Sequence, residues 1–557
     1  MATPKFKPCM QHQPMLFPPS VEELIPEGAL VRVVDSIVDG MDRSVLESAY
    51  PGGGASAHDP SMMLKVVLFC YASGIYSSRK IAAATRENVN LMWLTGMRPL
   101  DHNTVNRFRS ERIRPVFEDV FSEVIAVLAD AGHITLDTYF LDGTKIEADA
   151  NKFTFVWKKS TDRYQDALRR KVRAHLEAID ELNDEEEALA PEDPSEVDAD
   201  AIREAADRIN ARLRAKRESG EGGDAEAGEL RRAAGAIERD YLPRMERYEQ
   251  QQAAFAGRKS FSKTDPDATF MRMKDDAMGN GQLKAGYNVQ AGTENQFIVD
   301  TTVHQRPGDT ACAIPHCEHV KERLGRLPSS LVADAGYGSE ENYAYLEAED
   351  VDAYVKHAEF FRECRNRKWR EDEMRVANWE YDEADDAYAC PKGRTLGFLR
   401  EFTRVSELGY ESTVRVYECA DCSGCARRER CSKSEDPDAP RQIQVNPTLN
   451  EYRRRASEML RTEAGSALRK RRSVDVETVF GDIKRNLGFT RFTPRGLEKV
   501  TLEWRLVVTS HNIRKLFLTG CKRGRSHGIV GPFAFTWQAA ASERFRCKKR
   551  GLYRNRF

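Results

Sequence analysis

Apolar residues recur along this chain in two rhythms, and the switches between them mark where elements begin and end. From about residue 20 to 48, and again from 60 to 125, they return every three or four positions, the spacing that gives a helix one buried face. "SVEELIP" opens the first stretch, with Ser20 as N-cap and Glu23 at the capping-box position. The second stretch reads as several short helices. "SSRKIAAATRENVNLMWL" and "DHNTVNRFRSER" each begin with cap-type residues and are separated by the turn "TGMRPL". That arrangement predicts a helix-turn-helix-like unit, with Asn103, Asn106, Arg107 and Arg109 on the side that would meet DNA.

The rhythm then shortens to two. "ITLDTYFLDGTKIEADA", Ile134 to Ala150, reads as a strand with Leu136, Thr138, Phe140 and Asp142 on one face. Phe153, Phe155 and Trp157 alternate just beyond it, a pattern read as packing, with stacking on an unpaired base as the alternative. From Ser160 to Ala256 the chain is polar and rich in Glu, Ala and Arg, which predicts a charged helical hairpin with a flexible middle near Ser219 to Glu229. Strands resume at "LKAGYNVQAG" and "QFIVDTTVHQ", followed by a helix at "CAIPHCEHVKERLG". The short apolar run "SLVA" then ends at Asp334, before a glycine turn, a helix and the strand "DAYVKHA". Helices dominate from Glu451 onward. The order predicts a mixed α/β core carrying two large insertions behind an all-α N-terminal domain.

Composition adds little until it is localised. The 557 residues suit two to four domains, and the formal net charge is only −2. Yet Glu177 to Asp207 holds 14 acidic residues against one Arg, whereas residues 451–557 hold 26 Lys and Arg against 9 Asp and Glu. The basic C-terminal part predicts contact with a phosphate backbone, that is, a nucleic acid. The longest apolar run, Leu64 to Tyr76, is too short for a membrane span. No secretory-type apolar core follows the N-terminus, so a cytoplasmic protein is expected, nucleoid-associated when bound to DNA. No glycine-rich phosphate cradle occurs, which argues against ATP use.

The candidate chemistry lies in three carboxylates. Val476, Val479, Phe480, Ile483 and Leu487 form one apolar stripe, and Glu477 and Lys484 project along the same flank of it. Asp142 and Asp334 both stand where an apolar strand is expected to give way to a glycine turn, a common location for sites in open α/β sheets. Carboxylates brought together at such edges need a cation, and hard divalent ions prefer oxygen ligands. Two Mg²⁺ (or Mn²⁺) ions would serve an in-line phosphoryl displacement, Asp142 bridging both, Asp334 and Glu477 holding one each, and Lys484 gripping a phosphate. His304, Asp300 and Asp309 are read as structural.

"LDGTKIEADANKFTFVWKK", "VADAGYGSEENY" and "VETVFGDIKRNLGFTRF" together resemble the Asp, Asp and Glu blocks of bacterial insertion-sequence transposases of the DDE type. "HDPSMMLKVVLFCYASGIYSSRKI…DHNTVNRFR" resembles the N-terminal domain of that group. The resemblance implies an RNase H-like catalytic fold with Asp142, Asp334 and Glu477 as its triad. It also implies divalent-metal-dependent cutting at terminal inverted repeats, with joining of the 3′-hydroxyl ends to target DNA. Synapsis of two ends implies a homodimer or larger assembly. The family's glutamate block often reads Tyr-x2-Arg-x3-Glu-x6-Lys. Glu477 and Lys484 keep its second half, but Ser473 holds the Arg position and Lys470 the Tyr position, and Arg472, one residue out of place, could take the phosphate-binding part only with some backbone adjustment. A catalytically silent DNA-binding relative acting as a regulator is the alternative reading.

Five of the twelve cysteines, Cys390, Cys419, Cys422, Cys425 and Cys431, fall close together. In a cytosolic chain that favours a metal over disulfides. Cys390, Cys422, Cys425 and Cys431 are the expected ligands of a structural Zn²⁺, with Cys419 as an alternative ligand. The expected organisation is an N-terminal helical DNA-binding domain at 1–130, a catalytic domain in three parts (131–159, 261–359 and 451–520), and a basic tail at 521–557. The charged insertion at 160–260 and the Cys-rich insertion at 360–450 separate those parts.

Overall fold

A computed structural model describes residues 20–50, 52, 56–180, 189–191, 193–219, 224–273, 282–434, 436 and 439–526. Its centre is a six-stranded sheet. The first eight strands along the chain are β1 (Thr138–Glu147), β2 (Phe155–Trp157), β3 (Ser260–Ser262), β4 (Thr269–Arg272), β5 (Leu283–Glu294), β6 (Phe297–His304), β7 (Ser330–Ala333) and β8 (Asp352–Val355). β5, β1, β7 and β8 lie side by side, and β6 and β4 share the far side of the long β5. β1 runs antiparallel to β5 and parallel to β7, and β7 runs parallel to β8. Asn295 and Gln296, with φ of 55° and 66°, make the two-residue turn of the β5–β6 hairpin. This mixed, curled sheet flanked by helices fits the RNase H-like arrangement expected from the sequence.

β1 is central, and Tyr139 to Thr144 are all buried. Asp142 therefore does not sit at a strand end before a glycine turn. Gly143 continues the strand, paired with Gln290. A Cβ there would run into the Asp309 carboxylate and the Gln290 amide, so the glycine answers to close packing rather than to a bend.

The N-terminal helices and the sheet share one core. The helix Pro60–Ala72 is apolar on nearly every side, and Leu64, Val66, Val67, Leu68 and Cys70 are completely buried. It packs between the helix Leu30–Asp39 and the long helix Leu497–Ser526, which also covers β6. On that long helix the Asn512 amide bonds both backbone groups of Ile298, at 2.8 Å each, and so helps close the outer strand. The expected helix from residue 20 starts later, at Leu30. Pro26 disfavours helical backbone at Ile25, and Ser20 caps only a turn, its Oγ accepting from the Glu23 N–H at 3.2 Å. Among the described residues, no helix is long and apolar enough to cross a membrane.

The charged insertion makes three helical passes rather than a hairpin: Lys158–Asp180, Ala199–Ser219, and a third from Asp224 to Phe255 that is interrupted by one π-turn. These passes bury their own core, including Leu168, Val172, Ile202, Ile209, Leu230, Ile237 and Met245. The Cys-rich segment folds as a second sheet of five antiparallel strands, β9 (Glu380–Asp382), β10 (Ala387–Ala389), β11 (Thr395–Val405), β12 (Glu411–Cys419) and β13 (Gln442–Val445). Phe153 is 80% exposed, whereas Phe155 and Trp157 pack against Phe270, with ring centroids 4.9 and 6.2 Å away. Most of the expected basic tail, from residue 527 onward, lies outside the described residues.

Candidate active site

Strand register brings the two aspartates together. β1 and β7 pair in parallel up to Phe140 and Val332, so two residues further on Asp142 and Asp334 come level and point to the same face. Asp142 is buried, and its Oδ1 accepts from the Gly143 N–H at 2.9 Å. Asp334 Oδ1 accepts from the Gly336 N–H at 2.8 Å, which fixes the carboxylate at the mouth of a tight turn. The same register runs on to the next strand. Ala333 pairs with Val355, and Lys356 therefore stands level with Asp334.

The third carboxylate arrives on a helix that departs from regular α geometry. Glu463–Arg472 is α-helical, Ser473–Glu477 is a π-turn, Thr478–Gly481 is α-helical and Asp482–Asn486 is a second π-turn. Its stripe is buried as predicted: Val476 and Ile483 at 0% exposure, Val479 at 1%, Phe480 and Leu487 at 7%. Asp475 anchors the helix to the β5–β6 hairpin, accepting from Thr293 Oγ1 at 2.9 Å and from the Gln296 N–H at 2.8 Å. An α-turn aligns residues four apart, and a π-turn aligns residues five apart. The π-turn thus absorbs the one-residue displacement of Arg472 and returns it to the side of Glu477.

All three carboxylates meet on that arginine. Arg472 Nη2 lies 3.0 Å from Asp142 and 3.7 Å from Asp334, and Nη1 lies 3.4 Å from Glu477 Oε1. The Arg472 side chain is only 7% exposed, and its Nε is buried with no hydrogen-bond partner. Residues separated by nearly two hundred positions in one case and by well over one hundred in another converge on a single guanidinium.

Lys356 completes the wall. Burial lowers its pKa, and Arg472 pushes it the same way, while Asp334 and Glu477 pull it back up. Tyr337, on the turn after Asp334, has its phenol pKa raised well above normal by burial and then by Asp309 and Asp142. It is therefore a neutral hydrogen-bond donor, and it donates to the Gln290 amide oxygen. Asp309, read from the sequence as structural, lies behind Gly143 and accepts from Asn288 Nδ2 at 2.7 Å and Gln290 Nε2 at 3.0 Å. Lys484 is on the expected side of its helix, and its ammonium donates to the Lys145 carbonyl at 3.0 Å. Lys356 escaped the sequence reading, although the strand-end position that picked out Asp334 would have found it.

The donor set suits a hard cation, since three carboxylates already gather around one positive group. As they stand, with the guanidinium between them, they are not close enough to share an ion. Among the described residues no group of three His, Cys, Asp or Glu side chains is placed to hold a metal.

Two stretches of the chain match known families. Residues 389–517, which include Glu477, match the transposase DDE domain, and residues 19–111 match a transposase domain. Both matches support an insertion-sequence transposase of the DDE type. No curated protein matches it.

In this transposase the N-terminal candidates separate into two kinds. Arg107 is exposed and pairs loosely with Glu111 at 3.9 Å. Arg109 does not face outward. Its side chain is 12% exposed and bonds Tyr71 Oη at 2.6 Å, the Tyr76 carbonyl at 2.7 Å and Ser78 Oγ at 2.8 Å, with Glu503 3.8 Å away. It ties the N-terminal helices to the long helix Leu497–Ser526. Asn103 and Asn106 line a cleft of about 420 Å³ at that junction, together with Arg79, His102 and Lys499.

The transposase's cysteines are neighbours without being a closed site. Cys390, Cys422 and Cys431 pack beside Cys419 against Leu396 and Tyr417. Burial raises the Cys431 thiol pKa, and Cys390, Cys422 and Cys425 push it the same way. Cys419 is pushed to about 11 by burial and the adjoining Cys422, and its thiol donates to the Asp421 carbonyl at 3.3 Å. Thiols that raise one another's pKa are a set in which a soft dication would relieve the repulsion.

Proposed function

We propose that Asp142, Asp334 and Glu477 are the catalytic carboxylates of a DNA-cutting and DNA-joining reaction at the terminal inverted repeats of an insertion sequence. The observation that carries this reading is the meeting of all three on Arg472 within 3.0–3.7 Å. In the first step water attacks a phosphodiester and the P–O3′ bond breaks, leaving a 3′-hydroxyl on one side and a 5′-phosphate on the other. In the second, that hydroxyl attacks a target phosphodiester, a new P–O bond forms and the target's own 3′-oxygen leaves. The three carboxylates would hold Mg²⁺ or Mn²⁺, which supplies positive charge to the attacking and leaving oxygens.

The chain's own groups do the rest. β1 and β7 fix the two aspartates in register, and the buried stripe holds Glu477 against the sheet. Lys356 and Arg472 present positive charge to the non-bridging phosphate oxygens. Asn103, Asn106 and Arg107 would meet duplex DNA, and two protomers at least would bring two ends together. Cys390, Cys422, Cys425 and Cys431 would hold a structural Zn²⁺ that pins the loops after β10 and β12.

Incubation of the purified protein with DNA carrying the element's ends, in Mg²⁺ or Mn²⁺, tests the reading. Nicked and joined-strand products are expected. Specific binding with no nicking in either metal would return the protein to the silent, regulatory class. For the thiols, about one zinc per chain is expected from metal analysis of protein purified without chelator, and Cys390→Ser should lose it.

A further inference from the structure

We infer that Arg472 is a built-in stand-in for the metal, a positioning residue whose guanidinium holds the carboxylates in the metal-free protein and must withdraw before a divalent cation can bind. The inference rests on the reading of Asp142, Asp334 and Glu477 as the metal-binding carboxylates and adds a rule for when they become available.

Three features support it. The first is position. Arg472 is not at the rim of the site but between its members, and one terminal nitrogen, Nη2, faces both aspartates. A divalent ion shared by these carboxylates would have to take much the same place, and two cations cannot occupy it together. The second is the quality of the seat. Of the three contacts the one to Glu477 is a long hydrogen bond at 3.4 Å, those to Asp142 and Asp334 are ion pairs at 3.0 and 3.7 Å, and the buried Nε has no acceptor. Even with Lys356 counted beside the guanidinium, the three carboxylates keep negative charge in excess. A buried Nε without an acceptor also occurs at Arg109 and Arg323, so it is the charge ratio that sets Arg472 apart. The third is the backbone. A π-turn brings Arg472 to Glu477, whereas ordinary α geometry would leave it on a different side of the helix.

Such an arrangement couples metal to substrate. A DNA phosphate offers a guanidinium two parallel charge-assisted hydrogen bonds, a better partner than the present seat. Drawing Arg472 onto phosphate would open the carboxylates to metal. By linkage, metal binding would then free Arg472 for phosphate. The free protein would hold metal weakly, and the cutting centre would assemble where DNA is bound.

The test is Mn²⁺ binding to the full chain without DNA, followed by calorimetry and by the loss of the free-ion electron paramagnetic resonance signal. Arg472→Gln should bind Mn²⁺ at least about tenfold more tightly than the unaltered protein, within the usual range of coupling between sites. Adding Asp142→Asn to it should abolish that binding. An arginine with only a structural role predicts the opposite, weaker binding as the carboxylates splay apart. A second measurement covers the case in which Arg472→Gln does not fold. In the unaltered protein, phenylglyoxal should modify Arg472 slowly without metal and several-fold faster in saturating Mn²⁺, as read by peptide mass mapping. Equal or weaker Mn²⁺ binding by folded Arg472→Gln, or no change in Arg472 labelling with Mn²⁺, overturns the inference while leaving the carboxylate reading intact. Mn²⁺ binding that survives Asp142→Asn in the otherwise unaltered protein would overturn the carboxylate reading itself.

Discussion

Two buried charge clusters lie on the same sheet. On β6, Asp300 is fully buried between Arg323, whose Nε is 3.2 Å from one carboxylate oxygen, and His319, whose Nδ1 is 2.9 Å from the other. Burial works against ionisation there, yet Arg323 and then His319 hold the Asp300 pKa at about 2. On β1, Asp142 shares a single guanidinium with Asp334 and Glu477. The first cluster has one carboxylate facing two nitrogen groups, and the second has three carboxylates facing Arg472, with Lys356 acting on two of them. A structural cluster has its carboxylate charge matched, while a site meant to receive a cation is left short of positive charge. Charge ratio separates the two where burial alone does not, since Asp142 is itself only 6% exposed.

The comparison is most sharply tested by neutralising one member of each cluster. Asp142→Asn should lower DNA cleavage by about 10³-fold, the scale of losing a preorganised charge-stabilising group. It should leave urea stability within about 1 kcal/mol, because it also removes like-charge repulsion. Asp300→Asn should do the reverse, costing about 3–5 kcal/mol in a urea titration by stranding Arg323. If both variants melted alike, the ratio argument would be wrong. The acid limb of stability gives a smaller effect. Asp300 titrates lower folded than its ordinary 3.8, so its contribution is fully present above about pH 4 and disappears between about pH 4 and 2. Thermal melts across that window should show a loss that is absent from Asp300→Asn. The smallest change is expected from Arg107→Ala, which should weaken DNA binding a few-fold and reduce the salt slope by about 1 without altering the melt. Arg109→Ala should destabilise the fold instead.

Much of the core could be read from the sequence because its signals are local. The period-two run around Asp142, the short strand before Asp334 and the stripe behind Glu477 each carry their geometry within a dozen residues. What escaped depends on distant partners or on single-residue shifts. Arg109 looks like a surface arginine beside Arg107, and only the fold supplies Tyr71 and Glu503. The π-turn at Ser473–Glu477 has no compositional mark, so Arg472 looked misplaced. Most of β11 is exposed, and it lacks the in–out alternation that would have announced the second sheet.

The long helix Leu497–Ser526 has a consequence for how the protein is made. The apolar helix Pro60–Ala72 and strand β6 both pack against it, so the earliest and latest parts of the chain share one interior. A ribosome delivers that helix more than four hundred residues after its first partner. Pairings of such separation form slowly and leave apolar surface uncovered meanwhile. Translation products that stop before residue 497 are therefore expected to be captured by chaperones or proteases instead of persisting as shortened, DNA-binding competitors of the full enzyme.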